Sequence, residues 1–183
     1  LFGGWMEQLD RAAFSVFGYY SGESKDAVTE AFAATCEGFH HKARDVEGLA
    51  KEIRRDEIDV LIYPELGMDA QVLKMAALRL APVQMVSWGH PITTGLPTID
   101  CFLSSDLMEP TGGEDHYTES LVRLPGVSVC LHPTNPGAPA RGRAELGLPE
   151  DVPLLLCPQS LFKLLPTDDV LFARIAAVAP EAH

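Results

Sequence analysis

The chain has 183 residues, 46% of them hydrophobic, which is enough apolar material to bury a core but short for two full domains. Its 26 acidic residues against 14 basic ones give a net charge of −12, with no Lys/Arg cluster. That balance argues against a nucleic acid or an anionic membrane as partner, because phosphate surfaces are bound through basic ones.

Short apolar runs recur along the first two thirds of the chain: "AAFSVFGYY", "DVLIYPELG", "APVQMVSWG" and "IDCFLSSD" each end at Gly, Pro, Ser or Asp. This is the pattern of strands buried on both faces. Between them lie helical patterns. In "DVEGLAKEIRRDEI", Val46, Leu49, Ala50 and Ile53 recur at helical spacing behind Asp45 as N-cap, and "MDAQVLKMAALRL" repeats the arrangement behind Asp69. Strand alternating with helix predicts an α/β fold with a parallel sheet, whose ligands bind beyond the C-terminal ends of the strands.

After "LVRLPGVSV" the texture changes. The stretch "LHPTNPGAPARGR" is rich in Pro and Gly and poor in large apolar residues, so it reads as a linker. The expected division is a first lobe over 1–130, a linker over 131–146 and the start of a second α/β lobe over 147–183. In that second part, "VPLLLCP" is predicted as a strand, "QSLFKLLP" as a loop or short turn, and "TDDVLFARIAAVAP" as a helix with Thr167 as N-cap and Leu171, Ile175 and Val178 on one face.

Cys36, Cys101, Cys130 and Cys157 lie far apart with no CxxC pair, and three sit in apolar runs. They are expected to be reduced, small core residues in a cytoplasmic-type compartment. Neither a basic-then-apolar leader nor an apolar run near 20 residues is visible, so no retained signal peptide or membrane span is expected. The chain opens at Leu1 without a Met and is expected to be part of something longer.

Two stretches carry candidate chemistry. In "SWGHPITTGLPTID", Gly89 and Gly95 permit unusual backbone angles, Pro91 and Pro97 fix theirs, and three threonines place hydroxyls between them. His90, just past a strand end, can exchange a hydrogen bond with a polar ligand. Spacing alone equally allows a loop that merely turns the chain. The second stretch is "LLLCPQSLFKLLPTDD", where Lys163 is the lone cation between an apolar run and a capped helix. Such junctions bind phosphates, and a lysine there can stabilise charge on a leaving phosphate without a metal; Gln159 and Ser160 could add neutral hydrogen bonds. A solvated loop lysine fits the position as well. The pair His40–His41 lacks metal-site spacing and is expected in a surface turn, and Asp56, Glu57 and Asp59 read as a solvated helix end. There is no Asp-any-Asp triplet, no GxSxG elbow and no P-loop.

Taken in order, "DVLIYPELGMD", "RLAPVQMVSWGHPITTGLPTIDCFLSSDLMEP", "HYTESLVRLPG" and "CPQSLFKLLP" resemble the catalytic region of the O-linked N-acetylglucosaminyltransferase family, especially its bacterial SPINDLY-like members. The resemblance is strongest over 59–125 and 154–166. It implies a two-lobed GT-B glycosyltransferase, here a Rossmann-like parallel-sheet lobe plus the start of a second α/β lobe. It further implies inverting transfer of N-acetylglucosamine from UDP-GlcNAc to Ser/Thr hydroxyls of protein acceptors, without an obligatory metal or any cofactor beyond the donor. By the same resemblance Lys163 contacts the donor diphosphate, with Gln159 and Ser160 beside it, and Gly89, His90 and Pro91 line the cleft around the donor sugar. The family's proposed histidine base would lie upstream of this chain, tetratricopeptide repeats would precede it in the parent, and the uridine pocket would lie mostly beyond it. A fragment without transferase activity is the expectation. Related asparagine-directed enzymes share "RLAPVQ" and "GHP"-like motifs, other relatives use GDP-fucose, and a non-catalytic nucleotide-sugar or protein-binding module is the reading from another class.

Overall fold

The computed structural model describes residues 2–64, 66–130, 137 and 140–183. The chain forms two compact units, Leu1–His132 and Pro133–His183. Half of the expected linker, residues 131–136, 138 and 139, lies outside the described residues.

The first unit is α/β. In chain order it contains α1 (Gly3–Gln8), β1 (Phe17–Tyr20), α2 (Ala27–Ala34), β2 (Gly38–His41), α3 (Val46–Arg55), β3 (Val60–Tyr63), α4 (Ala70–Ala76), β4 (Val83–Ser87), β5 (Cys101–Ser105) and β6 (Ser120–Leu124). Strands β1 and β2 pair in parallel, and β3-β4-β5-β6 form a second, four-stranded parallel sheet. Helix α3 starts where Asp45 accepts a hydrogen bond from the Gly48 N–H at 2.8 Å, and it buries Leu49, Ala50 and Ile53. Leu49 and Ile53 are fully buried, each worth about 1.5–3 kcal/mol of apolar transfer. Asp69 caps α4 through the Gln71 N–H at 2.7 Å, as its sequence predicts. Phe102, Val86, Tyr63 and Met75 complete the core against α3.

Burial of the strands on both faces does not hold for β3. Leu61 and Tyr63 point inward, whereas Val60 and Ile62 are exposed, because β3 is an edge strand covered on one face only. Helix α2 has no strong apolar stripe; its start is fixed by a capping box in which Asp26 accepts from the Thr29 N–H at 2.8 Å.

The connection from β4 to β5 positions the candidate site. Parallel neighbours require a crossover, and between β3 and β4 that crossover carries α4. Between β4 and β5, residues 88–100 return without any helix. A helixless crossover must satisfy its backbone polar groups from elsewhere, and the fully buried Gln84 does much of this. Its Nε2 donates to the carbonyls of Leu78 (3.0 Å) and Thr98 (2.8 Å), and its Oε1 accepts from the Leu80 N–H at 3.0 Å. Arg79 grips Asp100 with two guanidinium bonds of 2.6 and 3.0 Å, and Asp100 in turn accepts from the Gln84 N–H. The "RLAPVQ" stretch is therefore the fastening for the loop.

Among the described residues of the second unit, α5 (Asp169–Val178) and short 3-10 turns form. The predicted strand in "VPLLLCP" is irregular. Among the described residues its backbone pairs with His183, where the Leu155 N–H donates to the His183 carbonyl at 3.0 Å and the His183 N–H to the Pro153 carbonyl at 2.9 Å. A strand needs neighbours along its length, and with none among the described residues Leu156 stays 85% exposed. Nor does Thr167 cap α5. It lies inside the 3-10 turn Pro166–Asp168, where the Asp168 carboxylate instead accepts the Leu165 N–H at 2.8 Å. Leu171, Ile175 and Val178 remain exposed.

Candidate functional site

The C-terminal ends of β3 and β4 come together as the parallel-sheet argument requires. The Gly89 N–H donates to the Pro64 carbonyl at 3.2 Å, tying the two post-strand loops. The His90 ring packs on Gly67, whose φ of +119° favours glycine and where an added Cβ would stand 2.6 Å from His90 Cδ2. Bare backbone at Gly67 thus makes the seat for the imidazole. Gly89 and His90 are half-buried, while Pro91 and Ile92 face solvent.

Beyond Ile92 the crossover turns its hydroxyls inward. Thr98 Oγ1 donates to the Ala76 carbonyl at 2.6 Å. Thr93 Oγ1 donates to Glu119 Oε2 at 2.7 Å, and both the backbone N–H (2.8 Å) and the hydroxyl of Thr94 donate to Glu119 Oε1. Glu119 is 7% exposed. Burial pushes its carboxyl up, but the bonds from Thr94 and Thr93 outweigh that and hold it below the usual glutamate value. The many hydroxyls of this loop therefore serve its own folding, and Gly89 and His90 are the part of it tied to the loop after β3. Gly95, at φ +66°, supplies the turn between the two fastened parts.

Trp88 closes the other side. Its indole N–H donates to Ser128 Oγ, Trp5 Nε1 donates to the Ser128 carbonyl at 2.8 Å, and Phe2 bridges the two indoles with ring centroids 5.0 and 5.8 Å away. Tyr63, at the end of β3, is 4% exposed and its hydroxyl has no hydrogen-bond partner among the described residues. Burial raises its pKa.

The other candidates sit in the second unit. Gln159, Ser160 and Lys163 lie at one exposed bend, with Lys163 ending the 3-10 turn Leu161–Lys163. The Lys163 N–H donates to the Ser160 carbonyl at 2.9 Å and Gln159 Oε1 accepts from the Ser160 N–H at 3.1 Å. The Lys163 ammonium stands 6.0 Å from the Phe162 ring centroid, and no carboxylate among the described residues pairs with it. The six candidate residues thus form two groups, Gly89–His90–Pro91 in one unit and Gln159–Ser160–Lys163 in the other.

Several expectations are corrected. His40 and His41 are not in a surface turn; they form the end of β2, with His40 Nε2 2.8 Å from Asp56 Oδ2 and His41 Nε2 2.7 Å from the Gly22 carbonyl. Asp56 is accordingly no solvated helix end, since it also accepts from the Tyr19 hydroxyl at 2.8 Å. The cysteines are not core residues: Cys36 and Cys101 are half-buried, Cys130 and Cys157 exposed. Among the described residues no group of three His, Cys, Asp or Glu is placed to hold a metal ion, and no helix is long and apolar enough to cross a membrane. Glu119 was not foreseen, since a single Glu before an apolar run gives no signal.

No protein-family model matches the chain. Individual proteins do. It is 33% identical over 135 residues to a probable UDP-N-acetylglucosamine–peptide N-acetylglucosaminyltransferase SPINDLY of Eustoma exaltatum subsp. russellianum, a match covering 71% of this chain and 15% of that protein. Among solved structures, a mutant of the O-GlcNAc transferase of Thermobaculum terrenum superposes with a TM-score of 0.82 at 26% identity, covering 99% of this chain and 34% of that one. The chain belongs to the O-linked N-acetylglucosaminyltransferase family. Its α/β architecture is that of a family member of the GT-B type. A more distant relative is the UDP-glucose:protein N-beta-glucosyltransferase of Actinobacillus pleuropneumoniae, 29% identical over 112 residues and covering 58% of this chain and 18% of that protein. The chain spans less than a fifth of the length of these curated relatives.

Proposed function

We propose that this chain is part of an inverting, metal-independent protein glycosyltransferase that moves N-acetylglucosamine from UDP-GlcNAc to Ser/Thr hydroxyls. The observation that carries the reading is the His90 seat at the C-terminal ends of β3 and β4, in a chain whose SPINDLY and O-GlcNAc transferase relatives bear such names. In this reading Gly89, His90 and Pro91 meet the donor sugar, and the tight packing of His90 on Gly67 fixes the imidazole before the donor arrives. Lys163 stabilises the leaving diphosphate, with Gln159 and Ser160 as neutral donors at the same bend. As the sugar–phosphate bond breaks, negative charge grows on the nucleotide diphosphate, and an ammonium with no carboxylate partner among the described residues can take it up. The proton of the acceptor hydroxyl goes to a base outside this chain, so the isolated chain is not competent. Tetratricopeptide repeats in the full-length protein and a cytoplasmic location complete the proposal, with neither nucleic acid nor membrane as partner.

The test is Lys163→Ala in the full-length protein. Transfer should fall by roughly 100-fold, the loss common on removing one preorganised charge-stabilising group. Lys163→Arg should recover only part of it, because a planar guanidinium does not place its charge where a compact ammonium sits. Turnover within about twofold of wild type for the alanine variant would refute the diphosphate role.

A second reading is favoured by the Actinobacillus relative: a hexose delivered to a protein nitrogen in place of a hydroxyl. The two differ in donor and acceptor.

A further inference from the structure

We propose that Glu119 is a positioning residue for the donor-binding loop, clamping its far end so that Gly89, His90 and Pro91 are held ready for the sugar. The inference rests on the donor role proposed for that loop. The loop segment 89–92 is fastened on both sides. Upstream, the Gly89 N–H is bonded to the Pro64 carbonyl and His90 is seated on Gly67. Downstream, the next two residues, Thr93 and Thr94, place three donors on one carboxylate that lies 25 residues on in sequence, immediately before β6. Thr93 Oγ1 also accepts from the Thr118 N–H at 3.1 Å, so the residue preceding Glu119 joins the clamp.

The chemistry of the clamp suits this task. A buried carboxylate offers only acceptors, and here each oxygen meets a donor from the loop. No Lys or Arg among the described residues pairs with Glu119. Among the described residues its charge is met by the loop threonines and by its own backbone, so loop and carboxylate hold each other in place. The crossover contains no helix to do this, and Gly95, directly after the clamped pair, adds no stiffness of its own. Without the clamp, the segment would sample open shapes, and donor affinity would fall by the fraction of molecules that hold the competent one.

The experiment has two readouts. In the 183-residue chain, amide hydrogen exchange is compared between wild type, Glu119→Gln and Glu119→Ala. In the full-length protein, donor KM and kcat are measured for the same variants and for His90→Ala. The alanine variant should exchange faster by about tenfold or more at residues 89–95 while β3 and β4 stay protected, and its donor KM should rise about tenfold with kcat within twofold, because bound donor re-forms the loop. Glutamine, whose oxygen keeps both bonds from Thr94, should fall between the two. A merely structural glutamate would lower the amount of folded enzyme and hence the apparent kcat, leaving KM alone. Unchanged exchange at Thr94, exchange raised uniformly across the unit, or a glutamine variant as loose as alanine overturns the clamp. If His90→Ala raises donor KM and Glu119→Ala does not, the positioning role is wrong and the donor loop stands. If neither raises it, the donor role of the loop fails and the inference built on it fails too.

Discussion

Replacing Gln84 by Met is a demanding test of how the crossover is held. The side chains have similar volume, so no cavity opens, but three hydrogen bonds vanish from a site with no solvent exposure: those to the Leu78 and Thr98 carbonyls and from the Leu80 N–H. An orphaned buried backbone group costs about 1–3 kcal/mol. Leu80 is buried and its N–H would bear the full cost, while Leu78 is an exposed residue and Thr98 a half-buried one, so their carbonyls can partly recover bonds to water. The expected loss is about 3–5 kcal/mol, a large fraction of the stability of an ordinary domain. The assay is urea unfolding followed by tryptophan fluorescence, since Trp5 and Trp88 both lie in the first unit and report on it alone. With a slope ordinary for this size, the midpoint should fall by about 2 M. Arg79→Met, which breaks the more exposed pair with Asp100 and two longer bonds to the Pro82 and Pro97 carbonyls, should move it less. A Gln84→Met loss below about 1 kcal/mol would refute the claim that Gln84 fastens the loop.

Tyr63→Phe should leave stability unchanged or raise it by up to about 1 kcal/mol, because it removes a buried hydroxyl with no partner among the described residues; a loss above about 1 kcal/mol in the same urea assay would contradict this. Gly67→Ala should cost about 1–3 kcal/mol from its φ of +119° and should also displace the His90 ring, visible as a shift of its imidazole NMR signals; unchanged signals would contradict the seat described for His90. The pH dependence follows from Glu119. Its folded-state pKa is depressed, so the carboxylate contributes stability that is present above the unfolded value and lost as pH falls through the folded one. The lead of wild type over Glu119→Gln in urea midpoint should therefore be larger at pH 7 than at pH 3, and an equal lead at both would contradict the assignment.

Much of this fold was legible because local chemistry decides it. The Asp45 and Asp69 caps, the apolar stripe of α3 and the runs that become β3, β4 and β5 each announce themselves within a dozen residues. What was not legible depends on partners distant in sequence. "GFHH" carries no strand signal, and becomes β2 because β1 lies beside it and Asp56 receives His40. "VPLLLCP" has every strand signal and stays irregular, because no strand among the described residues lies alongside it. The candidate site divides the same way. The turn-formers at Gly89 and Gly95 were visible, but the glutamate that gathers the threonine hydroxyls comes from a different connection of the sheet. Only the packed structure shows that those hydroxyls point inward. The capping box at Asp26–Thr29 was a local signal that would have found α2.

The most direct measurement is product analysis with the full-length protein, protein acceptors and either UDP-GlcNAc, UDP-glucose or GDP-fucose. Mass spectrometry would identify the sugar added and the residue that carries it. The account predicts an N-acetylhexosamine on Ser or Thr, formed from UDP-GlcNAc, and sharply reduced by Lys163→Ala. A hexose on asparagine, a fucose, or no modification from any donor would contradict it.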